Sequence, residues 1–600
     1  MASPDPDPEK ATPPPSANHG NGATAQGSIN SDTNGHEQAP HHGMSIGQYV
    51  KTRFTTLKPT MRPAPNPIRL LRMITGRQWA FFGVAFFAWT WDAFDFFTVS
   101  LTVEELAQEF GKTNTDITWG ITLVLMLRSV GAILFGIAAD RYGRKWPFVV
   151  NNLLFIVLEL GTAFSQTYPQ FLACRALFGI AMGGLYGNAA ATALEDLPPT
   201  TRGLMSGLLQ QGYAFGYLLA TAFARGLVNT TPHGWRPLFW FGACPPVLII
   251  VWRLLLPETE VYELHASVRR TARAGGNGAG AGAAKEGVSA TFLREGKVAM
   301  KKHWLILCYL VLLMAGFNFM SHGSQDLYPT MLRSQYGFGA DAVTVTQVVA
   351  NLGAMAGGIV VGFCSQIFGR RISIVVMCLL GGALLYPYTF VSSKAIIAAA
   401  FFEQFAVQGA WGVVPIHLME LSPGAFRTFV VGTSYQLGNL VSSASSTIES
   451  TIGERFPLDD ERTDSGKVER YEYGKVICIF MGCVYAYVIL LTLVGPEYLG
   501  RSFDVSEDED VREVAGEEIV RGAVGERNQG RMCDGASGSG SDLRYGVRRE
   551  HHEQTHNRVV GTYGRGQVES FFPSHVLYFW FPADLSTSRC IGFEKYKTGA

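Results

Sequence analysis

Charge is what this 600-residue chain has little of: Asp, Glu, Lys and Arg make up 16% of it, against 47% for hydrophobic residues. A soluble protein carries roughly a quarter charged residues, so an assembly of soluble domains is excluded as its main content. Cysteine is scarce as well. The nine present fall mostly inside apolar stretches, as Cys174, Cys308, Cys364 and Cys478 do, without the pairing of a disulfide framework or the spacing of a metal site. They read as small apolar fillers. The first residues hold no apolar run, only a polar, low-complexity stretch, so no signal peptide is expected and the first membrane span would direct insertion. No catalytic constellation stands out. Glycines 179, 183 and 187, and 203, 207, 212 and 216, have the spacing of close helix packing rather than of a phosphate loop. The expectation is a protein that is not an enzyme, with no cofactor, no metal and no nucleic-acid partner. Lys plus Arg equals Asp plus Glu at 49 each, a balance that says nothing about partners.

Long apolar runs, by contrast, are plentiful. About 20 residues at 1.5 Å each cross a hydrocarbon core of roughly 30 Å. Twelve such runs recur, at 79–101, 117–139, 146–165, 169–193, 203–226, 237–256, 304–331, 342–365, 372–391, 395–419, 428–448 and 475–495. Basic residues gather on alternate sides: Arg69, Arg72 and Arg77 before span 1, Arg141, Arg144 and Lys145 after span 2, Lys297, Lys301 and Lys302 before span 7, Arg370 and Arg371 after span 8. The positive-inside rule then puts both termini in the cytoplasm of a multi-pass plasma-membrane protein, with the lipid bilayer as its first partner. The mixed-charge loop after span 11 is the exception.

The connection 257–303 contains the Gly/Ala run 274–282, a composition that builds no core and behaves as a flexible linker. It divides the spans six and six. A repeat supports the division: Gly136 to Lys145 reads GIAADRYGRK, and 226 residues later Gly362 to Arg371 reads GFCSQIFGRR. Glu195 and Arg202 are echoed at the same offset by Glu420 and Arg427. The expected fold is an all-α membrane protein with twelve transmembrane helices in two six-helix halves. Its parts would be a disordered cytosolic tail 1–78, a bundle 79–256, a cytosolic linker 257–303, a bundle 304–498 and a disordered cytosolic tail 499–600. The run HVLYFWF at 575–581 is too short to span and reads as an interfacial patch.

The segment Gly136-Ile-Ala-Ala-Asp140-Arg141-Tyr-Gly143-Arg144-Lys145 resembles the signature loop of the major facilitator superfamily, and the resemblance covers all twelve spans. Asp140 with Arg141 and Arg144, and Arg370 and Arg371 in the second copy, would form charge pairs that latch the halves and release them during alternating access. Gln366 replaces the acid in the second copy, which predicts a weaker half-latch.

Polar groups inside the spans are few, and the bilayer centre penalises each by about 2.5–3.5 kcal/mol. They are Asp92 and Asp95 in span 1, Arg128 in span 2, Glu159, Arg175, His322 and Asp326 in spans 3, 4 and 7, and Glu403 in span 10. For Glu159, Arg175 and Glu403, structural pairing and a cavity role are equally open. Asn318, His322 and Asp326 recur every fourth residue and make one polar stripe along span 7, with Gly323 and Pro329 as places to bend or break. A histidine beside a carboxylate exchanges a proton in the physiological range.

The whole segment Asn318-Phe-Met-Ser321-His322-Gly-Ser324-Gln325-Asp326-Leu-Tyr-Pro-Thr330 is similar to the span-7 signature of the Jen-type carboxylate:proton symporters, the lactate and pyruvate permeases. Asp92-Ala-Phe-Asp95 and Tyr435-Gln436-Leu-Gly438-Asn439 agree. The resemblance implies substrate-recognising amides at Gln436 and Asn439. It also implies substrate roles for Arg128, in the context Leu125-Met-Leu-Arg128-Ser-Val-Gly131, and for Phe215, in Gln211-Gly-Tyr-Ala-Phe215-Gly. Residue chemistry agrees independently: a guanidinium fork holds two carboxylate oxygens at once. The expectation is therefore symport of a proton with a short-chain mono- or dicarboxylate such as lactate, pyruvate, succinate or malate. Arg128, Phe215, Asn318, His322, Gln436 and Asn439 would bind the anion, and Asp92, Asp95, His322 and Asp326 would handle the proton. Two alternatives stay open: a nutrient receptor signalling through the long C-terminal tail, and a carrier of sialate, aromatic acids or sugars.

Overall fold

Hydrocarbon offers no hydrogen bonds, so a chain that crosses it folds into helices that satisfy their own backbone. In the computed structural model all twelve expected spans are helical: α1 Gly76–Leu101, α2 Asn114–Tyr142, α3 Lys145–Ala163, α4 Tyr168–Leu194, α5 Arg202–Leu227, α6 Arg236–Leu255, α7 Val288–Gln325, α8 Ala340–Phe368, α9 Arg370–Phe390, α10 Ile396–Leu421, α11 Arg427–Ser442 and α12 Tyr473–Val494. The structure describes residues 65–503 apart from 113, 276–287, 454, 459–460, 464–465 and 469–470, together with 51–53, 55 and 57. All belong to the first compact unit, Met1–Asp534. The patch at 575–581 and most of both tails lie outside the described residues.

Among the described residues nine helices are long and apolar enough to cross a membrane by themselves. The other three, α1, α5 and α11, carry Asp92, Asp95, Gln210, Gln211, Gln436 and Asn439, all buried. α11, at 16 residues, is also short, and the polar side chains of all three turn inward while residues such as Phe87 and Val441 stay exposed. Local chemistry sets the ends. Thr75 and Gln78 form a capping box at the start of α1, each side chain bonding the other's backbone N–H. Gly143 and Gly369 join α2 to α3 and α8 to α9 at φ of 98° and 109°, a backbone that strains any residue with a Cβ. They occupy the same position in the two repeat copies.

The two halves, α1–α6 and α7–α12, meet chiefly along α2 with α11 and α5 with α8. The second seam is made by glycines: a Cβ on Gly207 would stand 2.3 Å from the Gly358 carbonyl oxygen. Three departures from expectation follow from local sequence. Both ends of the 257–303 connection are helical, as Glu260–Gly275 and as the extended start of α7, since acids open the first helix and cations follow. The Gly/Ala run itself lies mostly outside the described residues. A short helix Val103–Phe110, closed by Gly111 in the left-handed region, separates α1 from α2. A two-stranded hairpin, Glu461–Thr463 with Gly466–Val468, lies between α11 and α12.

Candidate functional site

The α7 stripe faces α11. His322 Nδ1 lies 3.2 Å from Asp326 Oδ2, its Nε2 lies 3.3 Å from Asn439 Oδ1, and Asn439 Nδ2 donates to Gln436 Oε1 at 3.3 Å. These bonds chain Asp326, His322, Asn439 and Gln436 together, from a carboxylate 37% exposed to a buried amide. Both ring nitrogens of His322 face acceptors, so only the protonated ring can donate to both. Asn318, one turn further along the stripe, donates to Met314 O at 2.9 Å and to Tyr435 O at 3.4 Å. The helix breaks at Asp326–Leu327, and Pro329 opens the next turn, Tyr328–Thr330, where a missing N–H costs nothing.

The deep end of this chain touches the other half. Ser129 Oγ donates to Gln436 O at 3.1 Å, and beside Ser129 is Arg128, only 1% exposed. The Arg128 guanidinium lies 4.7 Å from the Phe96 ring centre and touches the Met182 sulphur, and its Nε has no partner. No aspartate or glutamate among the described residues forms an ion pair with it. Asp92 is within electrostatic reach of Arg128, yet both its oxygens are also buried without a hydrogen-bond partner. A buried guanidinium lacking a carboxylate is costly, and a carboxylate ligand would supply what it lacks.

Two candidate residues lie apart from this group. The Asp95 carboxylate rests against Gly242 of α6, where a Cβ would meet Asp95 Oδ1 at 2.8 Å and Glu159 Oε1 at 3.5 Å. Glu159 is itself bound to Arg175 at 2.7 Å, both fully buried, so these three form a cluster inside the first half. Phe215 stacks on Phe86 of α1, with centroids 6.4 Å apart. Glu403, of α10, accepts from the Tyr485 hydroxyl of α12.

Below Arg128 and Gln436, towards the end carrying the repeat loops, aromatic rings close the space. Tyr186 of α4 stacks on Tyr435 of α11 with centroids 4.1 Å apart, and Trp89, Tyr213 and Trp411 pack around the pair. This floor joins both halves. Nothing in the sequence distinguishes these rings from lipid-facing ones, except that Tyr435 precedes the two amides.

Beyond the floor the repeat loops hold the halves together. Asp140 pairs with Arg144 at 3.1 Å, and its oxygens accept from Thr428 N and Phe429 N at 3.2 and 2.8 Å. A carboxylate thus caps the N-terminus of α11 from the opposite half, where the helix dipole favours negative charge. Arg144 also binds Glu195 at 2.9 Å, and Arg427 reaches Glu195 across the seam at 3.7 Å. Arg141 lies over the Tyr142 ring. In the second copy Arg370 binds Glu420 at 3.1 Å and Gln366 Oε1 at 2.9 Å, and Arg371 donates to Thr492 O and Leu493 O. Gln366 thus serves Arg370 within its own half, while the halves meet on that side through Gly203 and Gly207 packed against Gly362 and Gly358 and through Ser206, which donates to Gly412 O and accepts from Ile416 N.

The profile of the family described as "Sugar (and other) transporter" matches residues 74–508. The "carboxylic acid transporter protein homolog" of Saccharomyces cerevisiae is 42% identical over 465 residues, 76% of this chain and 75% of the yeast protein. The cis,cis-muconate transport protein of Acinetobacter baylyi is 26% identical over 59% of this chain and 83% of its own length. Among solved structures, the major facilitator proton:xylose symporter XylE superposes with a TM-score of 0.57 at 17% identity, covering 74% of this chain and 99% of XylE.

Proposed function

Because the chain belongs to the sugar (and other) transporter family, within the major facilitator superfamily, and so is a multi-pass transporter rather than an enzyme, we propose that it moves short-chain carboxylates together with protons. The observation that carries this reading is Arg128, a buried guanidinium that forms no ion pair with an acid among the described residues, Asp92 acting on it only through space. It lies across the seam from a chain of hydrogen-bonded side chains that begins at the partly exposed His322 and Asp326. The 42% identity to the yeast carboxylic acid transporter homolog supports the same substrate class.

In this reading the repeat-loop end faces the cytoplasm, where the positive-inside rule puts it, and the membrane is the plasma membrane. With that end latched, the site opens outward. An anion enters past Asp326 and places its carboxylate on Arg128, held bidentately, while Asn318, Gln436 and Asn439 bind its keto or hydroxyl group. A proton taken by His322, with Asp326, Asp92 and Asp95 as further acceptors, cancels the charge of a monocarboxylate, and a dicarboxylate dianion takes a second. Uncompensated, that charge would meet about 2.3 kcal/mol per 100 mV of membrane potential. Release follows when Asp140 leaves the α11 N-terminus, the glycine seam parts and the aromatic floor separates, with Arg141, Arg144, Arg370 and Arg371 exchanging partners.

The test is initial uptake of lactate, pyruvate, succinate and malate at two external pH values, in cells lacking other carriers. Faster uptake at acidic pH is expected, lost in both His322→Ala and Arg128→Ala while surface expression is retained. Uptake indifferent to external pH would refute proton coupling, and uptake unchanged in Arg128→Ala would refute the carboxylate site.

A further inference from the structure

The seam between the halves also carries an apolar groove of about 220 Å³ near the repeat loops, away from the substrate site. Ile137 of α2 forms one wall, Ala299 and Leu307 of α7 the other, and Phe426 and Phe429 the back. Its surroundings are lipid-facing: Met300 in its lining, and Ile133 and Leu134 one turn from Ile137, are large apolar side chains left exposed. Where it leaves the membrane, its surroundings turn basic. Lys297 lines it, exposed, and Lys301 is exposed one turn along the same helix. Trp304 on α7 and Trp146 at the start of α3 are also exposed, aromatics of the kind that mark the membrane–water boundary. Lys297 is seven residues before Trp304, about 10 Å along the helix. Both lysines therefore stand at headgroup level, while Leu307 reaches into the hydrocarbon.

We propose that this groove is a binding site for an anionic glycerophospholipid, with an acyl chain against Ile137, Leu307 and Phe429 and the headgroup phosphate on Lys297 and Lys301. Charge complementarity selects the headgroup, and depth selects a lipid over a soluble anion. The nearest acid on α2, Asp140, does not oppose it, because its carboxylate is occupied by Arg144 and the Thr428 and Phe429 amides. Ile137 closes the groove from α2 while the rest of its lining belongs to the second half, so a lipid bridging the two favours the state in which α2 packs on α11, whatever the substrate is.

The test uses the full chain in nanodiscs of phosphatidylcholine with a minor fraction of phosphatidylserine, followed by native mass spectrometry of the retained lipid. At least fivefold enrichment of phosphatidylserine is expected. It should fall to parity in Lys297→Gln/Lys301→Gln, whose side chains are exposed and leave packing intact, and in Leu307→Trp, which fills the groove. Equal retention of the two lipids by the wild type would overturn the proposal, as would enrichment that survives the lysine substitutions. Because retention is measured without substrate, it stands or falls separately from carboxylate uptake.

Discussion

Arginines at the latch and at the membrane centre are equally buried, and the chain treats them in opposite ways. Arg144 has Asp140 and Glu195 within 3.1 and 2.9 Å, and Arg370 has Glu420 at 3.1 Å. Arg175, also deep in the first half, has Glu159 at 2.7 Å. Arg128 has a sulphur, a ring and the Tyr213 hydroxyl, with Asp92 near but not bonded to it. Completed pairs hold helices to one another and are silent towards ligands. An incomplete one makes sense when a ligand completes it. The halves differ in the same spirit: the first contributes the fixed positive charge, the second a chain of neutral and titratable donors.

Breaking a completed pair should be the most damaging change. Arg175→Ala leaves Glu159 buried and alone, which costs about 3–5 kcal/mol, read as loss of monodisperse protein and a lower Tm. Replacing both members, Glu159→Leu with Arg175→Met, should restore folded yield, and continued misfolding of the double variant would show that the pair does more than neutralise. Arg128→Ala should do the reverse, keeping the Tm but lowering uptake about 100-fold, or about 2.7 kcal/mol. Arg128→Lys should rescue little of it, since a point charge cannot hold two oxygens in a fixed fork. Next in size is Asn439→Ala, which removes the bridge between His322 and Gln436. KM should rise about tenfold, in line with a lost hydrogen bond of about 1.5 kcal/mol, and the acid stimulation of uptake should weaken with it. Smallest is Asp140→Asn, because Arg144 keeps Glu195 at 2.9 Å and no charge is left alone. It weakens the helix-dipole contact with α11 by about 1 kcal/mol, and should speed alkylation of a cysteine placed at Ser206, in the seam, several-fold. Unchanged alkylation would deny Asp140 a latching role.

Much of this arrangement was legible in the residues. Length and apolarity located every span, the loop at 136–145 and its echo located the charged groups that pair near the seam, and fourfold spacing put Asn318, His322 and Asp326 on one face. Other features depend on partners distant in sequence. Asp92 and Asp95 are three apart, a rotation of about 60°, too small for periodicity to decide that Asp95 turns to Gly242 and the Glu159–Arg175 pair. Phe215 and Tyr213 have similar chemistry, and only the packing of α1 on α5 sends Phe215 to Phe86 and Tyr213 to Trp89. The floor of Tyr186, Tyr435 and Trp411 was hidden because aromatic residues suit lipid and interior equally. The helix at Glu260–Gly275 was obscured by the Gly/Ala run that follows it.

The carboxylate site proposed at Arg128 is best tested by equilibrium binding to the purified protein, comparing lactate with lactamide, its uncharged near-isostere, in wild type and Arg128→Ala. Lactate should bind the wild type alone, and lactamide neither protein. Lactamide binding as tightly as lactate, or lactate binding undiminished in Arg128→Ala, would contradict a carboxylate site at this guanidinium.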